Sequence, residues 1–160
     1  MKEITFRVER CLGCKSCELA CAVAHSTSQN LVQALDEFPL AKKRLAVLLL
    51  DEKNSLVRSN SFVLQCRHCS QPACVDVCIA GGVAKDEATG VVTFNAERCV
   101  GCWSCTMLCP FGGIVRDIRG SRALKCDRCP DRDTPACVEA CPTRALVYSE
   151  VEELCEESSR

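Results

Sequence analysis

The stretch CLGCKSCELAC, residues 11–21, places four cysteines within eleven positions, at i, i+3, i+6 and i+10. Three thiols at intervals of three residues can lie on one tight loop and face a common metal group. The fourth cysteine follows about one helical turn later, so its side chain points away from that group. The glycine in the loop fits this interpretation, because glycine tolerates strained backbone angles and the close approach of other atoms. The stretch therefore predicts a metal-binding loop followed by a short helix.

The same kind of group recurs three times along the chain. The stretch CVGCWSCTMLC at 99–109 has identical spacing, and two looser versions occupy 66–78 and 126–141. The looser versions also share the segments PACVDVC and PACVEAC. Duplication of one metal-binding unit explains such internal similarity. The four groups contain sixteen of the 17 cysteines, and only Cys155 is left over.

The composition agrees with a metal protein that keeps its thiols reduced. The 160 residues include 17 cysteines but only 5 Phe, 1 Trp and 1 Tyr, so aromatic packing cannot fill an ordinary core. The first ten residues lack the apolar segment of a secretory signal. The longest apolar run, LAVLLL at 45–50, is too short to span a bilayer. We therefore expect a cytoplasmic protein without a disulfide framework and without direct membrane insertion.

Zinc is the main alternative to iron for these cysteines. A zinc ribbon uses two C-x2-C pairs around one ion, whereas here three closely spaced cysteines are followed by a fourth. That run is typical of 4Fe–4S clusters, in which the fourth cysteine ligates the other cluster of a pair. We therefore predict four 4Fe–4S clusters. His68 lies inside one group, but a Rieske-type site needs two histidines on one iron, so we expect a structural role for it.

The segment 66–109 resembles the two-cluster ferredoxins of bacteria over its whole length, including the Cys-Pro pair at 109–110. Between its cysteine groups, VAKDEATGVVTFN predicts two strands joined by a turn that contains glycine. Exchange of the fourth ligands within this unit leaves the two outer groups to pair with one another across it. Sequential pairing, the first group with the second, is the alternative. It would leave no compact ferredoxin unit in the middle of the chain, so we favour the nested arrangement.

The nested arrangement defines four ligand sets of four cysteines each. The first set is Cys11, Cys14, Cys17 and Cys141, and the second set is Cys21, Cys126, Cys129 and Cys137. The third set is Cys66, Cys69, Cys74 and Cys109, and the fourth set is Cys78, Cys99, Cys102 and Cys105.

The whole chain resembles the four-cluster, ferredoxin-type electron-transfer subunits of anaerobic oxidoreductases. These include the B subunits of the dimethyl sulfoxide reductase group and the small iron–sulfur subunits of formate dehydrogenases and hydrogenases. The stretch CLGCKSCELACAVAHSTSQNL is most similar to the branch associated with carbon monoxide dehydrogenase. The resemblance implies two tandem ferredoxin-like lobes and a line of clusters that conducts electrons. The chain departs from the family pattern at Cys21 and Cys78, which are not followed by proline.

We therefore expect an α+β protein with small sheets and short helices. The inner ferredoxin-like lobe would cover 66–109, and a discontinuous outer lobe would combine 1–65 with 110–160. Strands are predicted at ITFRV (4–8), LAVLLL (45–50), SFVLQ (61–65), VVTF (91–94) and ALVYS (145–149). Short helices are predicted after Cys17, Cys74, Cys105 and Cys137, and DEKNSLVRSN (51–60) is predicted to be a surface hairpin loop.

The sequence favours electron transfer over catalysis. Four cysteines per cluster leave no iron open to a substrate, and the chain has no Walker motif, dinucleotide-binding loop or nucleophile elbow. The resemblance implies an electron-transfer subunit placed between a catalytic oxidoreductase subunit and a second redox protein. The catalytic partner would be a carbon monoxide dehydrogenase first, and then a hydrogenase or formate dehydrogenase. A freely diffusing polyferredoxin and a redox sensor are the alternatives, and no basic stripe indicates nucleic-acid binding.

Charge near the cysteines adds one further expectation. Each oxidised cluster with four thiolates contributes −2, so four of them lower the formal net charge from −1 to about −9. Basic residues beside the motifs would offset part of this, although solvated surface is the plain expectation for any one of them. They are Lys15, Arg67, Arg98, Lys125 and Arg128. Cys155, in the acidic tail SEVEELCEESSR, is expected to be a free thiol on a solvated end.

Overall fold

The computed structural model describes residues 2–49 and 61–150 as short strands and helices joined by cysteine-bearing loops. The strands are β1 (Lys2–Phe6), β2 (Ala46–Leu49), β3 (Ser61–Leu64), β4 (Val83–Lys85), β5 (Val92–Phe94), β6 (Ile114–Asp117), β7 (Arg122–Lys125) and β8 (Leu146–Glu150). The α-helices are α1 (Ser16–Ala24), α2 (Leu31–Asp36), α3 (Ala73–Asp76), α4 (Ser104–Leu108) and α5 (Ala136–Glu139). Within these ranges the strands form four two-stranded antiparallel sheets.

One unit joins the two ends of the described chain. Strand β1 pairs with β8 in a register that runs from Lys2 opposite Glu150 to Phe6 opposite Leu146. Helix α1 packs against α5, and α5 packs against β8. Their buried side chains meet in one apolar cluster with the hairpin of β2 and β3. The buried members of this cluster are Ile4, Cys21, Leu45, Val47, Val63, Cys137 and Leu146.

A second unit surrounds the middle of the chain. Strands β4 and β5 form a hairpin, α3 packs against α4, and α4 packs against β6, which pairs with β7. The buried members of its apolar cluster are Cys105, Ile114 and Ala123, with Cys74, Val77, Phe94, Cys99 and Cys109 packed against them. Cysteines therefore provide a large share of the side chains in this core.

The hairpin of β2 and β3 is attached to α1 by a buried carboxylate. Glu18 lies on α1, and its Oε1 accepts the backbone N–H of Val47 at 2.5 Å. Its Oε2 forms an ion pair with Lys43, which precedes β2. Because a buried carboxylate is costly unless it is hydrogen-bonded and paired, these contacts fix the position of the hairpin relative to the first helix.

The sequence repeats recur as repeats of local structure. Helices α1 and α4 both begin after a residue in the left-handed conformation, Lys15 (φ 61°) and Trp103 (φ 64°). Helices α3 and α5 instead begin directly after Pro72 and Pro135, where the fixed φ and missing N–H of proline cost a helix nothing. Each packed helix pair, α1 with α5 and α3 with α4, therefore contains one helix of each kind.

The glycine of each tight cysteine loop meets a real conformational need. Gly13 and Gly101 have φ of +67° and +68°, values that favour glycine because it has no Cβ. A Cβ at Gly101 would also collide with the carbonyl oxygen of Ser121. The expectation that these loops need strained angles and close approach is confirmed.

The predicted α+β class with small sheets and short helices is confirmed, and so are the five strands and four helices, within two residues at most ends. Helix α2 and the hairpin of β6 and β7 were not predicted from the sequence. Helix α2 is short, but Asn30 caps it by accepting the N–H groups of Val32 and Gln33 at 3.0 and 3.3 Å. The predicted loop at 51–60 and the tail with Cys155 lie outside the described residues. Among the described helices, none has the length and apolar character needed to cross a membrane.

Candidate metal centres

The sixteen grouped cysteines lie on the loops before the helices, on the helices themselves, or shortly after them, as Cys78, Cys109 and Cys141 do. All sixteen are free thiols in the structure. Only Cys14 and Cys102 are exposed, whereas Cys21, Cys105 and Cys137 are buried. Thiols that are close together raise one another's pKa, because two neighbouring thiolates repel. The pKa shifts therefore report which thiols the fold brings together.

The thiols of the third set lie near one another. Burial raises the pKa of Cys74 to about 11, and the charges of Cys66 and Cys109 raise it further. Burial also raises the pKa of Cys69, again with contributions from Cys66 and Cys109. Cys109, which lies far along the chain from the other three, is thus within reach of their loop.

The fourth set lines one cavity. The walls of this cavity include all four of its cysteines, and Val83, Phe94 and Trp103 contribute apolar surface. The four cysteines are Cys78, Cys99, Cys102 and Cys105. Burial raises the pKa of Cys105, and the charges of the other three raise it further. Trp103 therefore has the packing and shielding position that its place in the loop suggests.

The second set also comes together, around the thiol of Cys137. Burial raises the pKa of Cys137 most, and the charges of Cys126, Cys21 and Cys129 add to the increase. Burial raises the pKa of Cys126 to about 12. Cys21, from the first helix, therefore lies beside three thiols from the last cysteine group.

The first set is brought together in part. Burial is the main cause that raises the pKa of Cys17 to about 11, and the charge of Cys141 adds to it. Cys11 and Cys14 lie on the loop that precedes α1. The exposed Sγ of Cys14 is 3.4 Å from Oγ of Ser16. Cys141 therefore lies near Cys17, whereas Cys11 and Cys14 lie on the loop before α1.

Neighbouring sets also act on each other. The charge of Cys17 in the first set raises the pKa of Cys137 in the second set. The charge of Cys66 in the third set likewise raises the pKa of Cys126 in the second set. The third and fourth sets share the packed helices α3 and α4. The second set therefore lies between the first and the third.

Backbone N–H groups donate to the last cysteine of each group. Cys78, Cys109 and Cys141 accept from the residue four positions later, at 3.2, 3.3 and 3.2 Å. Cys21 instead accepts from the backbone N–H of Arg44 at 3.2 Å. The difference has a physical reason: α1 continues for three residues past Cys21, so the N–H of His25 is used by the carbonyl groups of the helix. Such N–H···S bonds favour a charged sulfur and tune a bound cluster.

A network of charged side chains surrounds Cys21. Nε2 of His25 lies 3.2 Å from Oδ1 of Asp127, and Arg44 forms an ion pair with the other carboxylate oxygen. Nδ1 of His25 donates to the carbonyl oxygen of Cys21 at 2.7 Å. Burial lowers the pKa of His25, but its hydrogen bonds to Asp127 and Cys21 outweigh that effect and raise it to about 10.

His25 directly follows the first predicted helix, a place where a histidine is ordinarily a helix cap or a surface residue. It does end α1, but its side chain is largely buried against Asp127, which lies 102 positions further on. No local sequence pattern indicates that contact. His25 and Asp127 also lie within 4.8 Å of the thiol of Cys129, which is a member of the predicted second set. Nδ1 of His68 accepts the N–H of Val92 at 3.0 Å, which agrees with a structural role for that histidine.

The arrangement fits iron–sulfur clusters on three observations. Soft thiolate donors in groups of four suit such clusters. The fourth set encloses a cavity, and backbone N–H groups already point at six of the sulfur atoms. Thiolates held this close repel one another, and positively charged iron would remove the repulsion.

Comparison with known proteins decides the family. Residues 57–151 match the 4Fe-4S dicluster domain family. The B subunit of the anaerobic dimethyl sulfoxide reductase of Escherichia coli is 35% identical to this protein, over 91% of its sequence and 71% of the subunit's own length. This chain belongs to the dimethyl sulfoxide reductase B-type family of iron–sulfur proteins.

Other relatives in the B-type family are similar over comparable lengths. The protein YsaA of Escherichia coli, whose name describes electron transport, is 36% identical over 91% of this chain and 87% of its own length. An iron–sulfur protein of Rhodospirillum rubrum is 37% identical over 86% of this chain and 76% of its own length. As a B-type protein, the chain is an iron–sulfur electron-transfer subunit of an oxidoreductase and not a catalytic subunit.

Proposed function

We propose that this B-type subunit binds four 4Fe–4S clusters on its four ligand sets and carries single electrons between a catalytic oxidoreductase subunit and a second redox protein. The clusters supply the one-electron chemistry. The chain holds them, excludes water and directs N–H groups at their sulfur ligands. The observation that carries the proposal is the effect of thiols far apart in sequence on one another's surroundings: the charge of Cys109 raises the pKa of Cys74, and the charge of Cys21 raises the pKa of Cys137.

These pairs are the ones that the nested arrangement requires. Sequential pairing would instead place Cys21 with the group that begins at Cys66. The two apolar clusters support the proposed division into an inner lobe at 66–109 and an outer lobe from 1–65 and 110–160. The hairpin of β6 and β7 belongs in sequence to the outer lobe, but Ile114 and Ala123 pack in the inner core.

Exposed apolar side chains favour a stable subunit over a diffusing carrier. Leu31, Val32 and Leu35 of α2 are 50%, 71% and 67% exposed. Leu31 also lines a groove of about 450 Å³ between α1 and α5. Exposed apolar surface of this kind marks interaction sites, and this one lies beside the helices of the first and second ligand sets. We propose that the catalytic subunit binds there.

The catalytic partner that we propose is a carbon monoxide dehydrogenase, because CLGCKSCELACAVAHSTSQNL is most similar to the branch associated with that enzyme. A hydrogenase or formate dehydrogenase is the next choice. We propose that the complex works in the cytoplasm.

Anaerobic affinity purification from the native cells tests this function, with mass spectrometry of the recovered proteins and an iron count. We expect recovery of a catalytic subunit in equal amount and about sixteen irons per chain, as four cubane clusters require. Val32→Glu should abolish recovery of the partner and keep the iron. Ile118→Glu, at a side chain that is 78% exposed on the turn after β6, is the matched control.

Each other outcome has a distinct meaning. Recovery of the chain alone with about sixteen irons would indicate a freely diffusing carrier. Far fewer irons together with bound zinc would contradict the cluster assignment. Equal loss of the partner in both variants would contradict the proposed surface on α2.

A further inference from the structure

Three basic side chains lie buried between the second and third ligand sets. His68, Lys125 and Arg128 are 4%, 3% and 7% exposed. Lysine and arginine are almost never this buried unless they are paired. Solvated surface was the expectation for Lys125 and Arg128, but the structure shows that both are buried.

These basic groups lack acidic partners. Nζ of Lys125 donates to the carbonyl oxygen of Val92 and to that of Cys126, the latter at 2.7 Å. Neither acceptor carries a negative charge. Within residues 2–49 and 61–150, no carboxylate forms an ion pair with Lys125 or Arg128. Asp127 lies between them in sequence, but its oxygens are bound to His25 and Arg44.

Two of the three groups also contain an unpaired polar atom. Nδ1 of His68 accepts the N–H of Val92, so the proton of the neutral ring is on Nε2. That Nε2 and Nε of Arg128 are buried, with no hydrogen-bond partner among the described residues. Because Nδ1 accepts a hydrogen bond, the ring of His68 is neutral in this arrangement, and the positive charge of the site comes from Lys125 and Arg128.

The position of this charge connects two ligand sets. Lys125 acts on Cys74 of the third set and on Cys126 of the second set, in each case opposing the larger effect of burial on the thiol pKa. The backbone N–H of Arg128 donates to Sγ of Cys126 at 3.4 Å. The charge of Cys66 also raises the pKa of Cys126. The buried positive charge therefore lies where the third and second sets meet.

We propose that Lys125 and Arg128 form a fixed positive bridge that stabilises an electron on either of the two central clusters. This inference rests on the proposed function, since it needs clusters on the second and third sets. Adding one electron changes an oxidised cluster with its four thiolates from −2 to −3, and no bond or proton is involved. A buried positive charge favours that change strongly, because the surroundings screen it less than water would. The bridge raises the reduction potential of both central clusters.

Redox titration of the purified, iron-loaded protein under argon, followed by electron paramagnetic resonance, tests the bridge. We expect Lys125→Met and Arg128→Met each to lower the midpoint potential of two of the four clusters. The expected effect is at least a tenfold decrease in the equilibrium constant for reduction, which is about 59 mV for one electron. Lys125→Arg, which retains the charge, should restore the potentials.

Lys15→Met is the matched control, because Lys15 adjoins Cys14 but is exposed. It should leave all four potentials close to those of the parent protein. If the two buried variants keep four clusters and shift no potential further than Lys15→Met does, the bridge is wrong. If Lys125→Met fails to assemble, Arg128→Met decides by the same comparison. An iron count far below sixteen in the parent protein would refute the proposed function instead, and is measured separately.

Discussion

Glu18 directly follows Cys17, a predicted cluster ligand, but its own carboxylate makes contacts within the protein. It accepts the N–H of Val47 and pairs with Lys43, so it fastens the hairpin of β2 and β3 to α1. Glu18→Ala should lower the free energy of unfolding by about 2 kcal/mol, because a buried N–H loses its acceptor. That loss corresponds to a decrease of roughly 4–8 °C in Tm, measured by thermal unfolding of the iron-loaded protein.

Glu139→Ala provides the control for this measurement. The Glu139 side chain is 63% exposed and pairs with Arg132 at the surface. Exposed pairs of this kind contribute about 0–1 kcal/mol, so Tm should hardly change. Equal decreases in Tm for the two variants would contradict the role of Glu18.

Gly101 is the second residue with a specific structural role. Gly101→Ala adds a Cβ that is strained at φ +68° and collides with the carbonyl oxygen of Ser121. We expect a lower Tm and loss of iron from the fourth set, seen as about four fewer irons per chain. Gly81→Ala is the control, because Gly81 also has a positive φ, +60°, but a Cβ added there would lie 4.0 Å from its nearest neighbour, the guanidinium of Arg98. It should keep all the iron, and a similar loss there would show that strain alone matters.

Single residues differ in how far the sequence reveals their roles. The roles of the cysteines and the loop glycines can be predicted from the sequence, because cluster ligation imposes fixed spacing and left-handed angles favour glycine. The burial of Lys125 cannot be predicted, because it depends on contact with Val92, 33 positions earlier. The side-chain pair of His25 and Asp127 is hidden for the same reason.

Among the elements, α1 differs from the other cysteine-bearing helices because it contains the fourth cysteine of its group, Cys21, and continues past it. Ala22→Pro would remove a hydrogen bond inside α1 and should cost about 3 kcal/mol. We expect a marked loss of helical circular dichroism and of iron in the purified protein.

Ile79→Pro makes the corresponding change in the other group without proline. Helix α3 ends at Asp76, and Ile79 is exposed. This variant should therefore keep its iron and its Tm. If it loses as much iron as Ala22→Pro, the length of the helix is not the reason for the missing proline.

The elements that the sequence predicts well are those tied to the cysteine groups or to alternating apolar residues. Strands β1 and β8 have such a pattern, and each cysteine group sets the start of a helix. Helix α2 was missed because its six residues are too few for a helical period to stand out in the sequence. The hairpin of β6 and β7 was missed although glycine marks its turn at 118–121.

Across the whole molecule, sulfur replaces much of an ordinary apolar core. Cys21, Cys105 and Cys137 are buried in the two apolar clusters, and other cysteines pack around them. Because metal binding and folding are coupled in such proteins, removal of iron by a chelator should abolish most of the native far-UV circular dichroism. Retention of the native spectrum in iron-free protein would show that the packing of side chains is sufficient.

The plan of the whole molecule was more predictable than its surface. Duplication of the cysteine groups indicates that each group takes its fourth ligand from another group, and the resemblance of 66–109 to two-cluster ferredoxins favours the nested sets over sequential pairing. The exposure of Val32 and Leu35 on α2 could not be foreseen, since it depends on where other segments pack.

The pairing of β1 with β8 imposes an order on synthesis. Residues 2–6 can form their sheet only when residues 146–150 have left the ribosome, whereas all eight cysteines of the third and fourth sets have emerged once residue 109 has done so. The middle of a nascent chain can therefore bind iron first, before β1 has a strand to pair with. A chain that terminates before residue 146 would then have the cysteines of the third and fourth sets in place but an unpaired β1.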